Sequence, residues 1–363
     1  MNPASPLPTR DDPLDWQHLD AITSYPYGMK LRVARDGDTL LLKDGDTELG
    51  RCVLERGDTA LLLRWQTGRQ ASDGAILAAL EAAFTFHPDR AVCRVSGFEP
   101  SAALRNSGVL VAEEDGGLAA HRDLLWQQPT LWLPQPQQAM AQQYVLSGGR
   151  RHPRRRPKPQ GALYQRFIPW LGRTFSFRAL DIDDDLPMFN RWMNDPAVAQ
   201  IWQEEGDLAR HRAYLEELAA NPHIYPMIAS LDGEPFAYFE AYWAKENRIS
   251  PFCDAADYDR GWHVLVGEPA YRGKAVAVAW LTSISHYLLL DDARTQRLVG
   301  EPRADHAQQI RNLDRSGYAK VKEFDFPHKR ALLVTLLRER YFVDAFWWPR
   351  RDGATPTSPT RSL

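Results

Sequence analysis

The chain is poor in cysteine, with three in 363 residues, Cys52, Cys93 and Cys253, set far apart. No CxxC pair and no histidine at metal-ligand spacing accompanies them, so neither a disulfide framework nor a metal site is expected. A dominant charge is also lacking: the formal net charge of −3 gives no general attraction to nucleic acid or to a membrane surface. No apolar run approaches the roughly eighteen residues that a membrane span needs. The opening MNPASPLPTRDDP has no apolar segment of the signal-peptide kind. A cytoplasmic protein is therefore expected. Aromatics are plentiful, with twelve Trp, and most are expected to be core. The length suits two or three domains with a sizeable buried interior.

Residues 1–25 are rich in Pro and Asp and read as an irregular lead-in. Residues 29–64 alternate as antiparallel strands broken by Asp-Gly pairs at 36–37, 44–45 and 57–58, which are strong hairpin signals. Ser72-Asp73 caps a helix over Ala75–Phe86, and His87-Pro88 ends it. A strand (91–97), a short helix (102–106) and a hairpin (109–114 with 118–126) follow. The composition then changes. LPQPQQAMAQQ (133–143) is Pro/Gln-rich, and GGRRHPRRRPKPQG (148–161) crowds arginines among three prolines. Proline blocks a helix and like charges repel, so this stretch reads as a solvated surface linker. The alternatives are that it folds back over an anionic ligand or a negatively charged neighbouring surface, or that it is a nucleic-acid tail.

The second half predicts a strand at 174–181, helices at 185–195 and 207–220, and strands at 225–233 and 234–244. Residues 260–318 then concentrate ionisable groups at junctions. Trp262–Val266 is an apolar strand holding His263, GEPAYRGK (267–274) is a cationic Gly-containing turn, and Val276–Leu290 is a helix. Arg297–Gly300 is a second strand, and Asp305 opens another helix. Two long antiparallel strands are expected over 319–340, round Pro327-His328, and the tail after Trp348 has a disordered composition. The halves echo each other. AVCRVSG, Glu99-Pro100, a helix and Ser107-Gly108 match QRLVG, Glu301-Pro302, a helix and Ser316-Gly317, with the first helix seven residues shorter. A cationic turn, QTGRQ (66–70), recurs upstream, but the first copy has no counterpart to His263 or Asp305. Two domains of one fold are expected, the first structural and the second active.

A cationic turn between a strand and a helix can hold a phosphate, because free backbone N–H groups and the helix dipole both point there. Arg272-Gly273-Lys274-Ala275-Val276-Ala277 resembles the R/Q-x-x-G/A-x-G/A signature of GCN5-related acetyltransferases, with Ala at both signature glycines. The resemblance implies an α+β fold: tandem GCN5-related acetyltransferase folds, each a mixed central sheet with splayed strands flanked by helices. It implies domains at 1–132 (degenerate, structural), 133–173 (linker) and 174–348 (catalytic), with a tail at 349–363. Acetyl-CoA would be the co-substrate, held by Val264, Leu265, Val266, Arg272, Gly273, Lys274 and Ala275, with an oxyanion at the backbone N–H groups near Val264–Val266.

Longer stretches narrow the likeness. MNDPAVAQIW, DGEPFAYFEAYWAKENRI, RGWHVLVGEPAYRGK and EPRADHAQQIRNLDRSGYAKVKEFDFPHKRALL resemble the siderophore-biosynthesis hydroxamate acetyltransferases, above all the aerobactin type that acetylates Nε-hydroxylysine. That family makes His263 and Asp305 the catalytic pair. It builds the acceptor pocket from Asn194, Trp202, Glu240, Trp243 and Lys245. A superfamily tyrosine position is Leu313 here, so protonation of the leaving thiolate falls to His263 or water. The expected partners are acetyl-CoA and a small hydroxylated amine, with no metal, nucleic acid or membrane. A homo-oligomer or contact with other siderophore-biosynthesis enzymes are the macromolecular options. The competing readings are acetylation of an ordinary amine, such as an antibiotic or peptide, and a non-enzymatic acyl-CoA-binding scaffold. His263→Ala is expected to slow thiol release from acetyl-CoA without abolishing it, and wild-type kcat/KM in both His263→Ala and Asp305→Ala would rule the pair out.

Overall fold

The computed structural model describes residues 14–16, 18–66 and 71–349. The turn 67–70 and the tail from residue 350 lie outside the described residues. The chain divides into two compact units, one of Pro13–Pro136 with Tyr164–Thr174, the other of Gln137–Leu163 with the chain from Phe175 onward.

In the first unit β1 (Ala21–Ser24), β2 (Leu31–Asp36), β3 (Thr39–Asp44), β4 (Thr47–Arg56) and β5 (Leu61–Trp65) pair antiparallel in turn. Alternation builds them: Leu61, Leu63 and Trp65 of β5 are buried while Leu62 and Arg64 face outward. Gly37 and Gly45 close two hairpins at φ of 58° and 54°, a left-handed backbone that side chains resist. The Ser72 hydroxyl accepts from the Ala75 amide at 3.2 Å and starts the helix Asp73–Phe86. After it, β6 (Val92–Ser96) runs parallel to β5, and β7 (Leu110–Ala112) reaches β6 through β8 (Leu118–His121).

The second unit holds the hairpin β9 (Tyr144–Ser147) and β10 (Arg150–Pro153), after which β11 (Ala162–Ile168) carries the chain into the Tyr164–Thr174 segment of the first unit. The main sheet then follows: β12 (Arg173–Ala179), β13 (Ile224–Leu231), β14 (Glu234–Trp243), β15 (Arg260–Val266), β16 (Arg297–Gly300), β17 (Ala319–Phe326) and β18 (Lys329–Leu337). The run β12-β13-β14-β15-β16-β18-β17 repeats β2-β3-β4-β5-β6-β8-β7, and in both the single parallel pair falls at the same place. The fold is α+β, one mixed sheet used twice. The two helices in the repeated Glu-Pro segments, Ala102–Asn106 and Ala307–Arg315, are 5 and 9 residues long, so part of the seven-residue shortening lies in the loop before the helix.

The second sheet is covered on both faces. Trp280 of the helix Lys274–Asp291 packs edge-on against Phe239 and Trp262 on one face. On the other, Phe189, Trp192 and Met193 of the helix Ile182–Met193 and Leu215 of the helix Leu208–Ala220 form a core with Ile228, Tyr238 and Leu265. The parallel ladders differ. Strands β5 and β6 pair at four positions, Leu61↔Cys93 through Arg64↔Ser96, whereas β15 and β16 pair only at Arg260↔Leu298 and Gly261↔Val299 before diverging.

The Arg-rich stretch expected to be a solvated linker starts as strand β10, runs without regular structure from residue 154, and is solvated only in part. Arg155 forks onto Glu246 at 2.5 and 2.6 Å, with side chains 3% and 7% exposed, and its guanidinium lies 4.3 Å from the Trp243 ring centroid. Arg156 pairs with Asp291, and Lys158 donates to the last carbonyls of the helix 208–220, Leu218 and Ala219, at 2.5 and 2.8 Å. Arginine's fork matches a carboxylate in two bonds, so buried acidic sockets overcome the repulsion within the run. The fold-back onto a negatively charged surface is the reading the structure supports. Two further local differences concern helix starts: the helix expected from Asp305 begins at Ala307, and the one expected from Val276 begins at Lys274. Short helices at Pro196–Trp202 and Arg338–Val343 had no distinct signal. Arg155→Ala, by leaving the Glu246 carboxylate buried with a weaker partner, is expected to cost about 3 kcal/mol of unfolding free energy in urea melts.

Candidate active site

Alternation along β15 puts Gly261, His263 and Leu265 on one face of the sheet. Across the antiparallel ladder they oppose Tyr242, Glu240 and Tyr238. A Cβ on Gly261 would lie 2.2 to 2.3 Å from atoms of the Tyr242 ring, so the missing side chain lets that ring lie across β15. There the Tyr242 hydroxyl donates to Glu301 Oε2 at 3.0 Å. Glu301 follows β16 directly. Because the last parallel pair is Gly261↔Val299, His263 and Glu301 stand two residues on, level with each other on strands that have parted. Their side chains span the opening. His263 Nε2 is 3.0 Å from Glu301 Oε1, and Nδ1 is 2.9 Å from Glu240 Oε2.

Both carboxylates are buried, at 3% exposure for Glu240 and 4% for Glu301, whereas the His263 side chain keeps 22%. Glu240 Oε1 also accepts from Tyr238 at 3.0 Å and from Tyr214. Burial alone would drive the imidazole toward its neutral form. The Glu301 charge and the bonds to both carboxylates outweigh that and raise His263 to about 9. Burial works against Glu240 and Glu301 as anions too, yet their bonds to His263 hold both below the usual carboxylate range. At neutral pH the site is thus an imidazolium donating to two carboxylates, with Trp202 edge-on to the imidazole at 6.4 Å and Tyr242 at 5.0 Å between centroids.

The expected site residues separate into groups. Glu240 is the direct partner of His263, and Trp202 is beside it, donating through Nε1 to the Val264 carbonyl at 3.3 Å. Asp305 is not a partner of His263. It forms a forked pair with its neighbour Arg303 at 2.8 and 3.0 Å, its side chain 70% exposed, because the chain turns away before the helix starts. Trp243 is three residues from Glu240 and so on the opposite face, buried under Arg155 and Arg260. Lys245 donates to the Ala255 carbonyl at 2.8 Å, and Asn194 ties the 190–206 loop through Gly206 at 2.8 and 3.1 Å. Their polar groups brace the chain around the site. Glu301 is the residue the sequence reading passed over, although the repeated Glu-Pro after each short strand marked the position.

The turn after β15 is shaped from within. Arg272 donates to the carbonyls of Val266 and Gly267 at 3.0 and 3.1 Å and pairs with Asp195 at 3.1 Å. Gly273 precedes the 18-residue helix with no side-chain cap, and a Cβ there would meet nothing within 4 Å, so the space ahead of the helix is open. Lys274 is exposed beside it. This open helix start thus lies next to the point where β15 and β16 part. Among the described residues no group of three or more His, Cys, Asp or Glu is placed to hold a metal, and no helix is long and apolar enough to cross a membrane.

The His263 charge has a measurable sign. Its folded value of about 9 lies above the ordinary 6.5 of histidine, so the stability from this triad is complete below pH 6.5 and is lost as pH rises through about 9. Glu301→Gln removes the strongest attractive charge on the imidazole and is expected to lower the His263 titration midpoint by about one unit or more. Proton NMR of the imidazole C–H signals and thermal melts from pH 6 to 10 read this shift.

Comparison with known proteins places this geometry. Residues 181–326 match the acetyltransferase (GNAT) domain family. The chain is 42% identical to an N(6)-hydroxylysine O-acetyltransferase of Escherichia coli over 62% of its own length and 71% of that protein. It is 44% identical to an N(5)-hydroxyornithine:cis-anhydromevalonyl coenzyme A-N(5)-transacylase of Beauveria bassiana, over 53% of this chain and 43% of that one. Among solved structures, an uncharacterized protein of Bacillus halodurans is 25% identical, with a TM-score of 0.49 over 52% of this chain and 96% of that chain. With the domain match and the curated relatives, the chain belongs to the GCN5-related acetyltransferases, in the group of siderophore hydroxamate acyltransferases.

Proposed function

We propose that the chain transfers an acyl group from acetyl-CoA to the hydroxylated side-chain nitrogen of an amino acid of the N6-hydroxylysine kind, forming a hydroxamate for siderophore assembly. The observation that carries this reading is His263, held between Glu240 and Glu301 at the opening of β15 and β16 in a chain similar to the N(6)-hydroxylysine O-acetyltransferase. Coenzyme A supplies the activated thioester. The helix start at Gly273–Ala275 and the turn shaped by Arg272 receive its phosphates, and the backbone of Val264–Val266 lines its arm and the developing oxyanion.

The protonation state of His263 sets the division of labour. An N-hydroxyamine is a weak base, so its nitrogen reaches the site neutral and attacks the thioester carbon directly. The N–C bond forms, the C–S bond breaks, and the His263 imidazolium gives its proton to the departing sulfur. The proton released by nitrogen then passes to the His263–carboxylate unit, which regains its starting charge. Glu240 and Glu301 keep imidazole basic enough to recover that proton and hold its ring in place. A covalent route through sulfur is disfavoured, because burial pushes the Cys253 thiol up to about 11. Asp305, with its carboxylate turned to Arg303, acts in this scheme through the shape of the segment 301–307.

The same reading makes the first copy structural. Its β5 and β6 stay paired through Arg64↔Ser96, and a Cβ on Gly97 would lie 2.4 Å from the Trp65 carbonyl oxygen, so these strands do not part as β15 and β16 do. Coenzyme A thiol release with N6-hydroxylysine and with lysine tests the assignment. The expected result is a kcat/KM at least about a hundredfold higher for the hydroxylated acceptor at pH 7. Equal or greater turnover of lysine would move the chain to ordinary amine acetylation, and release with neither would favour a scaffold.

A further inference from the structure

Cationic groups gather around Glu301 in excess of the carboxylates available to them. Arg248, 49% exposed, reaches Glu301 Oε1 at 3.5 Å, its one ion pair among the described residues, and that oxygen already accepts from His263. Lys329 donates to the Glu301 carbonyl at 2.7 Å. Both cations also lie over the Phe326 ring, at 5.3 and 5.6 Å from its centroid, and His328 stacks on the same ring at 5.5 Å. The nearby Arg303 is taken by Asp305. The Glu301 carboxylate is shared among His263, Tyr242 and Arg248, so an arginine fork with five donors keeps most of them open to solvent. Such a fork fits a carboxylate from outside the chain.

We propose that Arg248 and Lys329 bind the α-carboxylate of the acceptor, making the site selective for N-hydroxy amino acids over N-hydroxy diamines. The proposal rests on the hydroxamate reading above. Arg248 and His263 touch one oxygen of Glu301, so the anchor for the acceptor's far end and the group that handles its protons are set by a single side chain. The phosphates of the thioester are an unsuitable occupant, because the open helix start that suits them follows the C-terminal end of β15, whereas Arg248 lies in the loop that leads into that strand's N-terminal end.

The test compares N6-hydroxylysine with its decarboxylated counterpart, N-hydroxy-1,5-diaminopentane, by thiol release in the wild type, Arg248→Met and Lys329→Met. Each ratio is taken within one protein, so the folded fraction cancels. The wild type is expected to prefer hydroxylysine by about tenfold or more in kcat/KM. Arg248→Met should bring that preference close to one, chiefly through a raised KM for hydroxylysine, and Lys329→Met should reduce it in part. Equal use of the two acceptors by the wild type, or a preference unchanged in Arg248→Met, overturns the proposal while leaving hydroxamate formation standing. Release with neither acceptor in the wild type overturns the hydroxamate reading and this proposal with it.

Discussion

Two buried carboxylates and the one partly exposed imidazole between them set the terms for the second unit. A buried carboxylate without a partner is costly, and this site holds two within reach of a single ring. The arrangement persists because each oxygen pair is occupied: Glu240 by His263, Tyr238 and Tyr214, and Glu301 by His263, Tyr242 and Arg248. Take His263 away and two anions face each other with hydroxyls as their nearest donors. The parting of β15 from β16 is tied to the same group, since the His263–Glu301 bond replaces the backbone ladder at the point where that ladder stops.

Charges also fix the other end of β15. Arg260 is fully buried, pairs with Asp291 at 2.9 Å and donates to the Tyr225 hydroxyl at 2.8 Å. Asp291 takes Arg156 on its second oxygen, and Glu246 takes both Arg155 and His152. The strand that presents His263 is therefore anchored through one face near its start and through the opposite face at its middle. The proposed proton transfer would benefit from such rigidity, because imidazole must then face donor and acceptor at fixed distances.

The succession of strands along the chain and the longer helices were legible because they rest on local signals: alternation, Asp-Gly turns, caps. The doubled fold was legible in two Glu-Pro segments that follow short apolar strands. His263 stood out as a titratable residue in an apolar strand, whereas Glu240, in a strand that reads FAYFEAYW, entered only through the family resemblance and as an acceptor-pocket residue. What could not be read was register. Only the pairing Glu240↔His263 separates Glu240 from Trp243, three residues on, and only the last rung Gly261↔Val299 brings Glu301 level with the imidazole. Asp305 looked closer than Glu301 because family likeness carries residues over one by one, whereas side-chain direction depends on where a turn ends and a helix begins. The Arg-rich segment misled for a related reason: its acidic partners Glu246 and Asp291 are distant in sequence.

That segment changes how the protein should respond to its ionic surroundings. Charges exposed on a tail are shielded within roughly 10 Å at 0.1 M salt, and whatever they hold loosens as salt is added. Arg155 and Arg156, by contrast, meet their carboxylates where mobile ions do not penetrate. These two pairs thus contribute little to the field outside the protein, and they are expected to hold the second unit as firmly in concentrated salt as in dilute buffer, unlike the exposed Arg151 and Arg154.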